Sequence, residues 1–213
     1  MFEIGCAAGS FLSYAKRAGY EVEGVDVSQW AASVAREHFD VKVNTGRLAE
    51  VGFDDSVFDV IFMGDLLEHE PYPLELLRET RRILKPDGIV TVKVPTYVNS
   101  FYYRMARLIP VSWIFTNMNI RLLQAMKLSH QNPRFPPYHV YEYSRGLLSR
   151  LCEKAGLQVV AHQTSLLVPE FLGGWKASRM DRAVYHGFRL LRKLLVQLNL
   201  PAGHVMVFAT KGK

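Results

Sequence analysis

The feature that most constrains this chain is the stretch EIGCAAGS at residues 3–10, which follows a very short apolar segment. Gly5 and Gly9 stand four positions apart with only small residues between them. Glycine has no β-carbon, so such a loop can turn sharply from a strand into a helix and let a ligand approach the main chain. The first N–H groups of the helix can then bind a carboxylate or phosphate. The pattern predicts a strand–loop–helix unit, and it fits either a ligand site or a plain tight turn.

The segments after this loop alternate between strand and helix patterns. Strands are predicted near residues 1–4, 20–27, 41–44, 57–63, 89–94, 157–165 and 204–210. Helices are predicted near residues 11–18, 28–38, 71–84, 144–155 and 178–199, and the third of them should end in a turn at KPDG, residues 85–88. Alternation at this rhythm implies right-handed crossovers and a mostly parallel sheet.

Length and charge narrow the class of protein. A chain of 213 residues suits one domain, and two cysteines, Cys6 and Cys152, are too few for a disulfide framework, which favours a reducing compartment. Residues 1–100 hold ten basic and sixteen acidic residues, a net charge of −6, whereas residues 101–213 carry a net charge of +12. The basic half predicts either an anionic partner or simple solubility and attraction between the two halves.

The chain begins abruptly. Only Met1 and Phe2 precede Glu3 in what should be a central strand, so we expect the N-terminus to be truncated. No leader pattern precedes the strand, and the charge-free runs are shorter than the ~20 residues that span a bilayer. These features predict a cytoplasmic location, with contact at the inner face of the membrane as a further hypothesis.

Asp26 lies 21 residues after Gly5, at the end of the second predicted strand. A carboxylate at that place in an open α/β sheet can accept hydrogen bonds from both ribose hydroxyls of a nucleoside cofactor. The alternative is an aspartate that only caps the following helix. Because the glycine loop lies upstream, we favour the ribose role.

Four stretches in order, EIGCAAG, GVDVS, FDVIFMGDLLEH and RRILKPDGIVTVKVP, together resemble the class I S-adenosylmethionine-dependent methyltransferases, in their small-molecule branch. The resemblance covers residues 2 to about 100 and returns at PPYHVYEYS, residues 136–144. It implies a single α/β domain over residues 1–213, with a Rossmann-like doubly wound sheet of seven strands. The sheet should be mostly parallel with an antiparallel last strand, and residues 96–143 should form a lid inserted after strand 5.

The resemblance also implies the cofactor, S-adenosyl-L-methionine, and the residues that hold it. Glu3 would reach the methionine amino group, and Asp26 the ribose. Arg47 stands where the family often has an acidic residue at the adenine amino group, so adenine contact should rely on the main chain and Leu48. The implied cofactor-binding set is Glu3, Gly5, Cys6, Ala7, Gly9, Asp26, Val27, Gly46, Arg47, Leu48, Met63, Gly64 and Asp65. The sequence departs from the family pattern at Ala7 and at Asp87, where glycine is common.

Methyl transfer needs an aligned nucleophile and exclusion of water, and a general base helps when the nucleophile is a hydroxyl or a protonated amine. His69 is the first candidate because it follows the fourth strand, near the expected position of the methyl group, and His139 is the second. Either histidine also fits a structural or substrate-orienting role. The two cysteines lie far apart and the seven histidines lack ligand spacing, so we expect no metal site.

Residues 96–143 are rich in aromatic side chains and arginines, and we predict substrate contacts at Tyr97, Asn99 and Tyr138. Two hypotheses stay open. The segment forms a pocket wall for an apolar acceptor, with arginines for an anionic group, or it lies on a membrane so that a lipid-linked acceptor can enter. The basic helix 178–199 fits ordinary packing on the sheet. Nucleic acid is not favoured, because no recognised binding module is present.

These patterns together predict methyl transfer to a small-molecule, glycan or lipid-intermediate acceptor, most simply at an oxygen. The rival is a non-catalytic chain that keeps this fold as a binding or assembly module, which the short first strand and Arg47 support. A nicotinamide oxidoreductase is disfavoured, because its G-x-G-x-x-G spacing is absent from the loop.

Overall fold

The chain alternates strands and helices as its hydrophobic pattern predicts. The computed structural model describes residues 1–96, 139–165, 190, 193–194, 197–200 and 203–212. Its elements, in chain order, are β1 (Phe2–Ile4), α1 (Ser10–Arg17), β2 (Glu23–Asp26), α2 (Gln29–Phe39), β3 (Lys42–Thr45), α3 (Leu48–Val51), β4 (Phe58–Gly64), a 3₁₀ helix (Leu67–His69), α4 (Pro73–Ile83), β5 (Leu84–Pro95), α5 (Arg145–Lys154), β6 (Gln158–Ser165) and β7 (His204–Thr210).

The strands form one seven-stranded sheet in the order β3-β2-β1-β4-β5-β7-β6. Strand β1 is parallel to both β2 and β4, and the pairs β2–β3 and β4–β5 are also parallel. The last strand, β7, runs antiparallel to β5 and β6. The predicted fold class is confirmed. The strand order reverses between β1 and β4, and ligands of open α/β sheets bind at the carboxyl ends of the strands at such a reversal.

Two apolar clusters hold the helices to the sheet. The larger joins β1, β4, β5 and β7 to α4 and α5, and its centre includes the fully buried side chains of Ile61, Leu77 and Leu148. The smaller joins the glycine loop to α1, α2 and β3 through small residues such as Ala32 and Ala35. Small side chains let α1 and α2 approach closely, so the loop between β1 and α1 is anchored on both sides.

Two helices begin at the residues that the sequence predicts. The Ser28 hydroxyl accepts a hydrogen bond from the Ala31 N–H at 3.2 Å, and Ser144 does the same for the Leu147 N–H at 3.2 Å. Such N-caps satisfy main-chain donors that a helix leaves unpaired. Both predicted starts are confirmed.

The turn predicted at residues 85–88 takes another form. Helix α4 ends at Ile83, and β5 already begins at Leu84, which pairs with Phe58. The register then shifts so that Val60 pairs with Ile89, which leaves residues 85–88 as an irregularity within the strand. Burial of Leu84 against the sheet explains why the strand begins early. Strand β2 is also shorter than predicted, and the four-residue helix α3 was not predicted.

Several predictions concern residues outside the described part of the chain. These are most of the lid, residues 97–138, and most of the basic helix 178–199. Within the described ranges, no helix combines the length and the apolar character that crossing a bilayer requires.

Candidate functional site

The site lies where β1, β2 and β4 end at one edge of the sheet. A β-carbon built on Gly5 would lie only 3.0 Å from Leu66 Cδ1. The loop after β1 therefore packs directly against the connection after β4. These two connections leave the sheet at the reversal of strand order, so the residues that they carry surround the expected crevice.

The glycine loop combines three left-handed residues within five positions. Gly5, Ala7 and Gly9 have φ values of +73°, +45° and +77°. The Gly5 N–H donates to the Val25 carbonyl at 2.8 Å, and the Gly9 N–H donates to the Cys6 carbonyl at 2.9 Å. An alanine in this conformation is strained, and such strain is found where surrounding structure holds a site in place. The buried Cys6 side chain belongs to the smaller apolar cluster, so its role in the loop is packing.

Asp26 joins the glycine loop to the start of α2. Its Oδ2 accepts a hydrogen bond from the Ala7 N–H at 2.7 Å, and its Oδ1 accepts one from the Ser28 N–H at 2.8 Å. A carboxylate oxygen has two acceptor positions, so each oxygen keeps one for another donor. The carboxylate thus links the glycine loop to Ser28, the N-cap residue of α2, and does not itself cap the helix. The ribose role stays a prediction.

Glu3 is a buried carboxyl group in the middle of β1, with 6% of its surface exposed. Burial, and then the nearby charge of Asp26, raise the pKa of Glu3 to about 8. Its Oε2 atom has no hydrogen-bond partner among the described residues. A buried, unpartnered carboxyl oxygen is costly, and a cationic ligand group beside it would remove that cost. The residues present therefore fit the ammonium group of the predicted cofactor.

The adenine side was predicted to be formed by three consecutive residues, Gly46, Arg47 and Leu48, together with Val27. Val27 is 71% exposed, whereas Leu48 is buried in the larger apolar cluster. The Gly46 N–H donates to the Asp26 carbonyl at 3.0 Å, which ties this turn to β2. The Arg47 guanidinium lies 3.5 Å from a carboxylate oxygen of Glu70, a residue that sequence reasoning did not single out. Arg47 thus connects the adenine side to the segment after β4.

The end of β4 holds the last part of the predicted cofactor set. Met63 is fully buried, and Gly64 leads into Asp65, whose φ is +53°. Asp65 contacts Lys93 Nζ at 2.6 Å and His204 Nε2 at 3.2 Å. Burial raises the pKa of Asp65, but the hydrogen bonds from His204 and Lys93 outweigh it and hold the pKa below its usual range. The Asp65 carboxylate is therefore engaged by β5 and β7.

The two predicted catalytic histidines lie together, although 70 positions separate them in sequence. The rings of His69 and His139 have centroids 4.8 Å apart at an interplanar angle of 68°. Glu68, which sequence reasoning missed, lies beside His69, with its Oε1 atom 3.8 Å from His69 Nε2 and its side chain 1% exposed. Burial raises its pKa to about 7. The adjacent Glu–His pair directly after a buried strand is the signal that could have revealed it.

The expectation of no metal site concerned the spacing of histidines along the sequence. In the fold, Glu68, His69 and His139 each place one potential ligand atom within 4.8 Å of the other two. The predicted substrate contacts Tyr97, Asn99 and Tyr138 lie outside the described residues, as does the aromatic segment around them.

Comparison with known proteins gives concordant findings. The profile of the family described as "Methyltransferase domain" matches residues 1–162. The ubiquinone biosynthesis O-methyltransferase of Actinobacillus pleuropneumoniae serotype 7 is 30% identical over 100 residues, covering 42% of this chain and 43% of that protein. The Neisseria meningitidis serogroup A protein of the same name is 23% identical over 171 residues, covering 75% of this chain and 63% of its own length.

Among solved structures, a SAM-dependent methyltransferase from Archaeoglobus fulgidus superposes with a TM-score of 0.61 at 18% identity, covering 98% of this chain and 84% of the other. At that identity the likeness shows the fold alone. The matches to the two curated relatives span 43% and 63% of their lengths.

Proposed function

This chain belongs to the methyltransferase domain family, and from that premise we propose that it transfers a methyl group from S-adenosylmethionine to a hydroxyl group of a small molecule. Family membership confirms the resemblance drawn from the sequence, and it supports the class of enzyme and the cofactor that the resemblance implies. The choice of acceptor and of the methylated atom is the proposal.

The observation that supports cofactor binding most directly is the carboxyl group of Glu3. It is buried at the strand reversal, beside a second carboxylate, with one oxygen that no described residue satisfies. A cation fits this place and an anion does not. The amino-acid end of S-adenosylmethionine carries such a cation, next to a carboxylate that the main-chain N–H groups of the glycine loop can bind.

S-adenosylmethionine, when bound, supplies a methyl group that its sulfonium charge has already activated. The chain then has three tasks. Glu3 and Asp26 hold the two ends of the donor, and Leu66 packs against Gly5, which keeps the connection after β4 next to the glycine loop. His69 or His139 accepts the proton of the acceptor hydroxyl at a ring nitrogen. Alignment and a positioned base are the two contributions that such a reaction requires from a protein.

A hydroxyl acceptor is supported by two separate observations. The curated relatives are named as O-methyltransferases of ubiquinone biosynthesis. In this chain, Glu68, His69 and His139 place potential proton acceptors together, next to the connection that contacts the glycine loop. A protonated amine would also need a base, so the names of the relatives are what favours an oxygen nucleophile over an amine. We therefore propose a phenol or catechol as the acceptor class.

Calorimetry with S-adenosylmethionine, S-adenosylhomocysteine and NAD tests the first half of the proposal. We expect one equivalent of either sulfur nucleoside to bind and NAD not to bind. Failure of both sulfur nucleosides to bind would refute the assignment. The Glu3→Gln variant should bind more weakly, and Glu75→Gln, an exposed carboxylate on α4, is the matched control.

Transfer of a labelled methyl group to a panel of acceptors tests the second half. The panel contains simple catechols and phenols, the same phenols carrying an isoprenoid chain, amines of similar size, and a lipid-linked glycan. We expect label in the phenols or catechols. Label only in amines or glycans would replace the acceptor class, and cofactor binding without transfer to any acceptor would favour the non-catalytic rival.

A further inference from the structure

An ion pair joins the connections that follow β3 and β4. The Arg47 guanidinium lies 3.5 Å from Glu70 Oε1. In the sheet, β2 and β1 lie between β3 and β4, and the carboxyl ends of β2 and β1 carry the predicted donor site. Neighbouring strands lie about 4.8 Å apart, so the two connections leave the sheet about 14 Å apart. The ion pair therefore reaches across the strands that carry the donor site.

The carboxylate of Glu70 is also fixed by its own segment. Its Oε1 atom accepts a hydrogen bond from the Tyr72 N–H at 3.2 Å. The Glu70 N–H donates to the Leu67 carbonyl at 3.3 Å, which ties the residue to the 3₁₀ helix before it. The Glu70 side chain is 18% exposed. The carboxylate is thus held in one orientation by the protein itself, and such preorganisation lowers the cost of binding a ligand.

One oxygen of this carboxylate is left for a ligand. The contacts of Glu70 with Arg47 and with the Tyr72 N–H are both made by Oε1, and no other described residue hydrogen-bonds to Oε2. A carboxylate oxygen accepts hydrogen bonds and a guanidinium only donates them. Within the ion pair, Glu70 is therefore the member that can bind a ligand group carrying hydrogens, and Arg47 is the member that holds it.

The base of the donor reaches this place when its ribose lies at Asp26. The Gly46 N–H donates to the Asp26 carbonyl at 3.0 Å, so the turn that carries Arg47 is hydrogen-bonded to the residue at the ribose. Val27, directly after Asp26, is 71% exposed and offers an uncovered apolar surface to a flat ring. A base joined to that sugar extends along Val27 toward the turn after β3, with its edge at the ion pair. This placement rests on the proposed function, in which Asp26 holds the ribose.

We propose that Glu70 Oε2 accepts a hydrogen bond from the exocyclic amino group of the donor's adenine, and that Arg47 positions the carboxylate for this contact. The amino group carries two hydrogens, which matches a carboxylate and not a guanidinium. Glu70 is then a specificity-determining residue. A base with an oxygen in place of the amino group brings a second acceptor to the carboxylate, and a site built to bond an N–H group rejects such an analogue.

Calorimetric titration with S-adenosylhomocysteine and with its deaminated analogue, S-inosylhomocysteine, measures the preference for the amino group. We expect the wild type to bind S-adenosylhomocysteine roughly 10- to 100-fold more tightly, the contribution of one hydrogen bond to a charged group. Glu70→Gln should reduce this preference by about tenfold, because a glutamine amide can also donate to the oxygen of the analogue.

Arg47→Met tests the positioning role. It should weaken S-adenosylhomocysteine binding by about three- to tenfold, and it should have no further effect when residue 70 is already glutamine, because Arg47 acts through Glu70. Glu79→Gln is the matched control. Glu79 also forms an ion pair with an arginine, Arg82, and its side chain is 20% exposed. Both affinities should be unchanged in this control.

The outcomes separate this inference from the proposed function. If Glu70→Gln binds S-adenosylhomocysteine with the preference of the wild type, or loses affinity for both nucleosides alike, Glu70 does not contact the amino group and this inference alone is overturned. Weaker binding in Arg47→Met but not in Glu70→Gln would assign the contact with the base to Arg47 and overturn it as well. If the wild type binds neither nucleoside, the proposed function fails and the inference falls with it.

Discussion

The two sides of the crevice contain the same kinds of groups but hold them in different ways. After β1 and β2, Asp26 is held by two main-chain N–H groups, from Ala7 and Ser28. After β4, Asp65 is held by two side chains, the ammonium of Lys93 and the imidazole of His204. Each side also carries one buried glutamate with an unpartnered oxygen among the described residues. We call these the β1–β2 side and the β4 side.

The two sides differ in how far along the chain the residues that contact each other lie. The β1–β2 side is completed within residues 3–28, through hydrogen bonds from main-chain N–H groups to the Asp26 carboxylate. The β4 side assembles residues from four separate segments, around positions 65–70, 93, 139–141 and 204. A fold can therefore preserve donor binding with a short motif, while the acceptor side depends on long-range packing and can vary among relatives.

The largest expected effect tests the β4 side. His69→Ala should lower the turnover of an acceptor found in the panel by about 10²–10⁴-fold, the usual contribution of a positioned acid–base group. Affinity for S-adenosylhomocysteine should change little, because the donor is held by the β1–β2 side. Steady-state rates and calorimetry measure the two quantities.

His38→Ala, which removes an exposed histidine, serves as the control for that comparison. Equal losses of turnover and of donor affinity in His69→Ala would show that His69 supports the donor site structurally. The distinction between the two sides would then be wrong.

The next effect compares the two aspartates. Asp26→Asn should weaken S-adenosylhomocysteine binding by roughly 10- to 100-fold, because the amide keeps one acceptor oxygen and loses the other, and a hydrogen bond to a charged acceptor contributes about 1.5–3 kcal/mol. Asp65→Asn should leave that affinity within about threefold, since its carboxylate is engaged by Lys93 and His204 and any donor contact comes from the main chain. Calorimetric titration of both variants with S-adenosylhomocysteine measures the two affinities. Equal losses would place the Asp65 side chain in the donor site.

Sequence reasoning succeeded on the β1–β2 side for the same reason that this side is local. A glycine loop, a strand end and an N-cap have short-range signatures, and Gly5, Asp26 and Ser28 all lie where they predict. It missed Glu68, whose importance comes from burial and from the approach of residues 139–141. It also predicted a turn at residues 85–88, where pairing of Leu84 with Phe58 extends the strand instead. Tertiary contacts that override a local signal leave no trace in one sequence.

A third prediction concerns the pH dependence of the β1–β2 side. Burial raises the pKa of Glu3 from about 4.5 to about 8, so the folded chain holds a proton that the unfolded chain releases as pH rises above 4.5. The contribution of Glu3 to the free energy of unfolding therefore falls as the pH rises from 4.5 to 8, and it stays constant above pH 8. The loss is on the order of 3 kcal/mol at pH 7. Denaturant unfolding at several pH values measures this. The free energy of unfolding of the wild type should show the fall with pH, and that of Glu3→Gln should lack the part due to Glu3.

Because the pKa of Glu3 is raised to about 8, we also expect a proton to be released when the donor binds. An ammonium group next to Glu3 favours the ionised carboxyl, so binding of S-adenosylhomocysteine at pH 7 should release between roughly half a proton and one. Calorimetry in buffers of different ionisation enthalpy counts the protons. Glu3→Gln should release none. Equal proton release by both proteins would mean that the donor's amino group lies elsewhere.

The smallest expected effect tests the contact that joins the two sides. Gly5 and Gly19 both have positive φ, +73° and +93°, so alanine at either position costs about 1–2 kcal/mol of backbone strain. A β-carbon on Gly19 would meet nothing within 4 Å, whereas one on Gly5 would lie 3.0 Å from Leu66 Cδ1. Gly5→Ala should therefore cost about 1 kcal/mol more in unfolding free energy, and Leu66→Ala should remove that excess.

Because Leu66 belongs to the β4 connection, the excess measures how firmly the two sides are packed together. If Gly5→Ala and Gly19→Ala unfold alike, the sides are packed loosely enough to move independently, and donor binding would then not position the acceptor.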